Sequence, residues 1–287
     1  MQSKFTLLFA VMLFAQLTLP AQEWDEYSIS EMETYQAGLK TQIFGDLCNV
    51  RNAPNAQGSI VAKLAIGTPV TILESSEESS TYNGWTARWS KIQFQQDGKT
   101  MSGYIWNGLL SPLAHQTNGV SFVYNVVKAE TKKNEYGYDN STHTVEVRAV
   151  RNGKVQSKAQ FELQITPGSS TEMQLVDNPG LAPYQNAFRI SIYFPACGYA
   201  NYTLTCLWDG NQLTALPILS GASDAGVFWE DEVFIFPNEK NGIPGKLVYQ
   251  YELSQGMEEE GELDYKKSMR LVEMKDGRFI KPKLDEL

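Results

Sequence analysis

Residues 47–73 read LCNVRNAPNAQGSIVAKLAIGTPVTIL. Nothing in this stretch is chemically reactive, and its pattern is that of a scaffold. Asn49 can bond its own neighbouring backbone and Pro54 fixes φ, so the chain turns sharply after Arg51. Ile60, Ala62 and Leu64, then Val70 and Ile72, alternate with polar residues, which is the period of strands with one buried face. Gly67-Thr68-Pro69 reverses the chain between those two strands. Cys48 takes a position where the strand wants an apolar core residue, and a buried, unreactive thiol suits it. The stretch is read as two sides of a small closed sheet.

The same grammar continues along the chain. Eight Asn-Gly or Asp-Gly pairs occur in 287 residues. Such pairs favour the positive φ angles of tight hairpin turns. HTVEVRAV and VQSKAQFELQI bracket Asn152-Gly153, NYTLTCLW and QLTALPIL bracket Asp209-Gly210, and MRLVEM and RFIKPKL bracket Asp276-Gly277. Each flank alternates with a period near two, so hairpins are expected there. Helical periodicity is nearly absent, with a short helix expected only within 26–38. The fold class expected is all-β: a small SH3-like barrel followed by a larger antiparallel β-sheet or sandwich domain. The turn-rich SPLAHQTNG at 111–119 marks a boundary. The division is therefore residues 1–21 as a signal peptide, 22–41 as an N-terminal segment, 42–112 as the barrel, 113–119 as a linker, and 120–287 as a β-rich region. Whether 120–287 is one domain or divides near 166–180 is open at this point.

The barrel assignment rests on residues that occur in a fixed order. QIFGDLCNVRNAP, GSIVAKLAIGTPVTIL, NGWTARWSKIQF and GKTMSGYIWNGLLSP together resemble the bacterial SH3 domain, a small exported β-barrel. They match its opening LNVRSGPS-like signature, its paired strands around Gly-Thr, its tryptophan segment and its closing Gly-Tyr strand. The sequence departs from that pattern at 74–84, which is longer and acidic, and in KTMSGY, which has extra residues before Gly103. The resemblance implies a groove lined by aromatic side chains that binds cell-wall peptide or glycan, or a protein partner. The residues placed to do so are Tyr82, Trp85, Trp89, Tyr104 and Trp106. Large rigid rings suit sugar faces and extended peptides. A barrel this small also needs aromatics inside, so Trp89 and Tyr104 are assigned to the core or its rim and Trp85 and Trp106 to the groove. Arg51 is expected to brace the turn.

The formal charge is -9, and an acidic chain is not built to coat nucleic acid or anionic lipid. Residues 1–21 carry one charge, Lys4, before an apolar run ending near Leu19, the pattern of a secretory signal. Export, with a periplasmic or secreted destination, is the expectation, and no stable membrane insertion remains after cleavage. In an oxidising compartment Cys197 and Cys206 can pair across neighbouring strands, or remain two buried thiols; spacing does not choose between them.

Catalytic chemistry finds little to build on. His115 and His143 are the two histidines, and no Gly-x-Ser-x-Gly or His-Glu-x-x-His occurs. A nucleophile needs a base oriented by a third group, and no such set is spelled out. The acidic run Trp229-Glu230-Asp231-Glu232 is read as a solvated edge strand. The reading is of an exported binding protein without catalytic residues, cofactor or metal, whose partner is peptidoglycan or another protein. A cell-wall hydrolase with its catalytic domain in 120–287, and a structural or assembly protein, are the alternatives.

Overall fold

The computed structural model describes residues 26–28, 35–133, 135–137, 139–166, 169–225, 227–256 and 264–283. The expected signal peptide lies outside them. The architecture is all-β, and among the described residues every strand pairing is antiparallel. Among the described residues no helix is long and apolar enough to cross a membrane.

Six strands form the first sheet, in the order Lys40–Gln42, Pro69–Tyr82, Trp85–Gln96, Lys99–Trp106, Leu47–Arg51 and Ile60–Ala65. The sheet curls into a half-barrel, and Ile43 bridges to Leu110 across its open side. Val50, Ile72, Ile92 and Ile105 fill the inside with no solvent exposure. Gly103 is required where Lys99–Trp106 crosses Leu47–Arg51, because a Cβ there would lie 2.6 Å from Val50 and 2.8 Å from the Arg51 carbonyl. Ile60 departs from the expected buried face. A bulge between Val50 and Arg51 shifts the register, so Ile60 pairs with outward-facing Arg51 and is exposed.

Four strands form the second sheet, in the order Lys154–Leu163, Asp139–Arg151, Val120–Lys133 and Ala114–Thr117. The segment expected as a linker is thus itself a strand, closed onto its neighbour by Asn118-Gly119. Asn152-Gly153 makes the expected hairpin with both residues at positive φ.

The third sheet has nine strands. Its path runs Glu26–Ser28, Ser170–Asp177, Asn186–Tyr193, Asn201–Trp208, Leu219–Asp224, Phe228–Ile235, Val248–Gln255 and Asp264–Leu271, with Leu213–Ala215 beside Asn201–Trp208. Residues 26–28, placed within an expected helix, are a strand against Ser170–Glu172. The Asp209 hairpin forms with a longer loop, in which the Asp209 carboxylate accepts the amides of Asn211 and Gln212 at 2.8 and 2.6 Å. The Asp276-Gly277 hairpin stands apart as a two-stranded sheet, Glu273–Lys275 with Arg278–Ile280.

The sheets share one interior. Phe122 of the second sheet stacks on Phe188 of the third at 3.8 Å and meets Trp208 at 5.6 Å, the contact of a sandwich. The same continuous cluster runs back through Trp85 and Trp106 into the barrel. Phe44, Ile66, Val123 and Val150 make a smaller apolar seam between barrel and second sheet. Polar stitches follow it: the Tyr124 amide donates to Ser111 Oγ at 2.9 Å, and Asn125 Nδ2 to the Leu110 carbonyl at 2.5 Å.

Candidate binding face of the barrel

Alternation decides which side chains leave the barrel. In Trp85–Gln96 the inward set is Ser90, Ile92 and Phe94, so Lys91 and Gln93 point outward. Cross-strand register then lines residues up from five strands. Glu74 faces Lys91, Lys91 faces Tyr104, Tyr104 faces Arg51, and Arg51 faces Ile60. They form one stripe across the outer surface. Its polar members are tied together. Tyr104 OH donates to Glu74 Oε1 at 2.9 Å, Lys91 Nζ lies 3.8 Å from the same oxygen, and Lys91 sits 5.8 Å from the Tyr104 ring centre. The hydrogen bond to Glu74 is the main reason the Tyr104 phenol is held above its ordinary pKa. Arg51 Nη1 donates to the Gly58 carbonyl at 2.7 Å, so it braces the turn as expected. Beside the stripe lies a groove of about 220 Å³ bounded by Lys40, Pro69, Thr71, Gln93 and Gln95.

The tryptophans are elsewhere. Trp85, Trp89 and Trp106 are 9%, 3% and 7% exposed. For Trp85 and Trp106 this corrects the expected groove position. The physical reason is the acidic insertion. Pro69–Tyr82 and Trp85–Gln96 run past the barrel as a long hairpin arm whose tip rests on the second sheet. There the Asn83 carbonyl accepts the Ala129 amide at 2.9 Å, and Asn83 Nδ2 donates to the Val127 carbonyl at 3.3 Å. The face that carries Lys91 outward is covered beyond Trp89, and the two neighbours Trp89 and Ser90 are both buried where the pattern changes. Ser80 caps two indoles: its hydroxyl accepts from Trp89 Nε1 at 2.9 Å and its carbonyl from Trp106 Nε1 at 3.0 Å. Of the five expected aromatics, Tyr104 is half-buried on the stripe and Tyr82 is 43% exposed, its ring set edge-on to Trp106 at 4.8 Å. Residue-type reasoning passed over Lys91 and Glu74; the alternation in WSKIQF was the available signal.

A curled half-barrel, with Gly103 at the strand crossing and the turn that follows the Asn-Val-Arg strand, is the structural counterpart of the quoted motifs. Residues 45–111 match the family model of the bacterial SH3 domain. Comparison with curated proteins and with solved structures found no match. The bacterial SH3 domain found here is a binding module at the level of its family, and the match contains the whole stripe from Arg51 to Tyr104. The acidic arm, Glu74 included, lies within the SH3 match as well.

The residues weighed for catalysis lie apart from that face. His143 is buried in the second sheet, accepts the Ile165 amide at Nδ1 over 3.3 Å, and stands edge-to-face with Trp85 at 5.7 Å. Burial holds it below the ordinary histidine pKa. His115 Nε2 lies 3.1 Å from the Met173 carbonyl. Burial pushes the Cys48 thiol up to about 12 and raises Cys206 too. Cys197 and Cys206 are not bridged: Cys197 is exposed in the turn before Asn201–Trp208, and Cys206 is buried opposite Phe188. Five residues into a strand is about 17 Å of travel, beyond the reach of a disulfide.

The acidic run at Glu230 is also corrected. Phe228–Ile235 is an interior strand of the third sheet, between Leu219–Asp224 and Val248–Gln255. Glu232 is buried and accepts Tyr249 OH at 2.7 Å, the Ser220 amide at 2.7 Å and Lys281 Nζ at 2.7 and 2.8 Å. It clamps the C-terminal segment, a structural task.

Proposed function

We propose that the protein is an exported, non-catalytic binding protein, acting in the periplasm or outside the cell, whose SH3 domain recognises cell-wall peptide or glycan or a protein partner. The observation that carries this reading is the outward stripe Glu74, Lys91, Tyr104 and Arg51 inside the matched segment. It offers a negative charge, positive charges and a ring edge within reach of one extended chain, which suits recognition and supplies no nucleophile. The apolar N-terminal run supports export. The burial of Cys48, Cys206 and His143 supports a role without covalent catalysis.

The test uses the mature protein, residues 22–287, sedimented with purified peptidoglycan sacculi beside a Lys91→Ala/Tyr104→Ala variant. Both substituted side chains are on the surface, so the fold should survive, which circular dichroism checks. Pelleting of the parent and not of the variant supports a wall ligand on the stripe. A parent that stays in solution removes the cell wall from the reading and directs the search to a protein.

A further inference from the structure

The groove beside the stripe is built from three strands, and one residue sets its charge. Residues 35–45, 65–73 and 92–96 hold a single charged side chain, Lys40. Lys40–Gln42 is the first strand in the order of the barrel sheet, and register puts Lys40, Thr71 and Gln93 in one row across its outer face. Neighbours along such a row stand about 4.8 Å apart. The backbone under Lys40 is fixed, because the Gly38 amide donates to the Ile72 carbonyl at 2.8 Å and the Ile72 amide to the Leu39 carbonyl at 2.9 Å. Val70 and Phe94, both buried, line the groove of about 220 Å³ from beneath, and Pro69 lines it beside them.

The groups on this row are free to meet a ligand. Lys40 is exposed, and among the described residues no carboxylate pairs with it. The side-chain amide of Gln93, also exposed, has no hydrogen-bond partner among them either. Glu74, in the next row, already accepts Tyr104 OH at 2.9 Å and has Lys91 at 3.8 Å, so it balances Lys91 and leaves Lys40 uncompensated.

These observations narrow the ligand. One uncompensated ammonium asks for one anionic group. The Gln93 amide and the Thr71 hydroxyl each donate and accept, as a peptide group does, whereas a phosphate would leave their acceptors unused. Phe94 is 2% exposed and is the one aromatic ring lining the groove, so a sugar finds no ring face to stack on there. A volume of about 220 Å³ is below the roughly 300–1,000 Å³ of pockets that hold drug-sized ligands, and suits the last one or two residues of a chain.

Resting on the reading of the SH3 domain as a binding module, we infer that this groove takes the C-terminal carboxylate and the last small residues of a peptide. The carboxylate pairs with Lys40 Nζ, the last peptide group bonds Gln93 and Thr71, and a small apolar side chain lies against Pro69. Two sources carry this chemistry: cell-wall peptides, which end in D-residues, and the L-configured tail of a protein.

The test is titration of the isotope-labelled mature chain, residues 22–287, followed by NMR. The probes are acetyl-Ala-Ala-Ala with its last two residues L or D, the matching C-terminal amides, inorganic phosphate and chitotriose. The free acids should shift the backbone signal of Thr71 and the side-chain amide signals of Gln93. Amidation of the peptide and Lys40→Gln should each weaken binding about fivefold, the size of an exposed ion pair, and raised salt should do the same. Lys63→Gln, on the strand at the other end of the sheet order, should bind as the parent does. Preference for the D form assigns the groove to the wall and preference for the L form to a protein tail, and either supports the inference. Equal binding of acid and amide, equal binding by Lys40→Gln, tighter binding of phosphate or chitotriose, or shifts that avoid Thr71 and Gln93 would each overturn it. Sacculi that pellet with the parent while the free acids do not bind would overturn this inference and leave the proposed function standing. Free acids that bind while sacculi stay apart would leave the inference standing and remove the wall.

Discussion

Glu74 and Glu232 are each served by a tyrosine hydroxyl and a lysine ammonium, in two different places. Glu74 accepts Tyr104 OH at 2.9 Å and has Lys91 at 3.8 Å; Glu232 accepts Tyr249 OH and Lys281 Nζ, both at 2.7 Å. The first trio lies on the outside of the SH3 domain. The second is sunk in the third sheet, where the glutamate side chain is 2% exposed and a backbone amide completes its shell. Water competes for every bond of the first and for few of the second. Identical chemistry is therefore free to meet a ligand in one place and committed to holding a chain end in the other. The barrel keeps its charged groups outside and depends on apolar filling. The later sheets enclose carboxylates, as Glu146 shows again with Arg148 Nε at 2.5 Å, Lys158 Nζ at 3.0 Å and Gln160 Nε2 at 2.7 Å.

The largest effect should come from the barrel's filling. Trp106→Ala removes a buried indole from a core shared with the second and third sheets. We expect a loss of about 3–5 kcal/mol in urea unfolding, and a tolerated substitution would mean that the tryptophans are not where the barrel's stability lies. Next, Glu232→Ala leaves Lys281 and Tyr249 without their acceptor and should cost about 3 kcal/mol. Glu74→Ala should cost at most about 0.5 kcal/mol, and equal costs would erase the contrast between the trios. Third, Gly84→Ala should cost about 2 kcal/mol, because φ is +75° and the new Cβ would lie 2.0 Å from the Ala129 carbonyl. The smallest effect is on pH. Neutral His143 is favoured by burial, so its contribution is present above the unfolded histidine pKa of about 6.5 and is lost as pH falls from there through its lower folded value. His143→Phe should flatten that part of the stability–pH curve, measured by thermal unfolding from pH 7 to pH 5.

The barrel was legible because its instructions are local: Asn49, Pro54, Gly67 and the alternation of Val70 and Ile72 each act on their own neighbours. What escaped was fixed at a distance. Trp85 is dark to solvent because Ala129 and His143 lie under the arm tip, and no residue near 85 announces that. Glu232 is hidden because Lys281, 49 residues further on, supplies its counter-charge. Ile60 turned outward through a bulge that a strict period of two cannot contain. The hairpins at Asn152 and Asp276 were legible for the same reason as the barrel, since the turn pair states its own φ angles.

The two tight turns of the SH3 domain's longest strands have nearly the same backbone. Asn83-Gly84 has φ values of 51° and 75°, and Asp97-Gly98 has 52° and 74°. Their surroundings differ completely: a Cβ on Gly84 meets the Ala129 backbone, while a Cβ on Gly98 meets nothing within 4 Å. A fluorophore, an epitope tag or an inserted peptide therefore belongs between Asp97 and Gly98, where added chain extends into solvent. The same insertion at Asn83-Gly84 would lift the arm and bring three indoles into water, so that site is a place to install a reporter of opening rather than a handle.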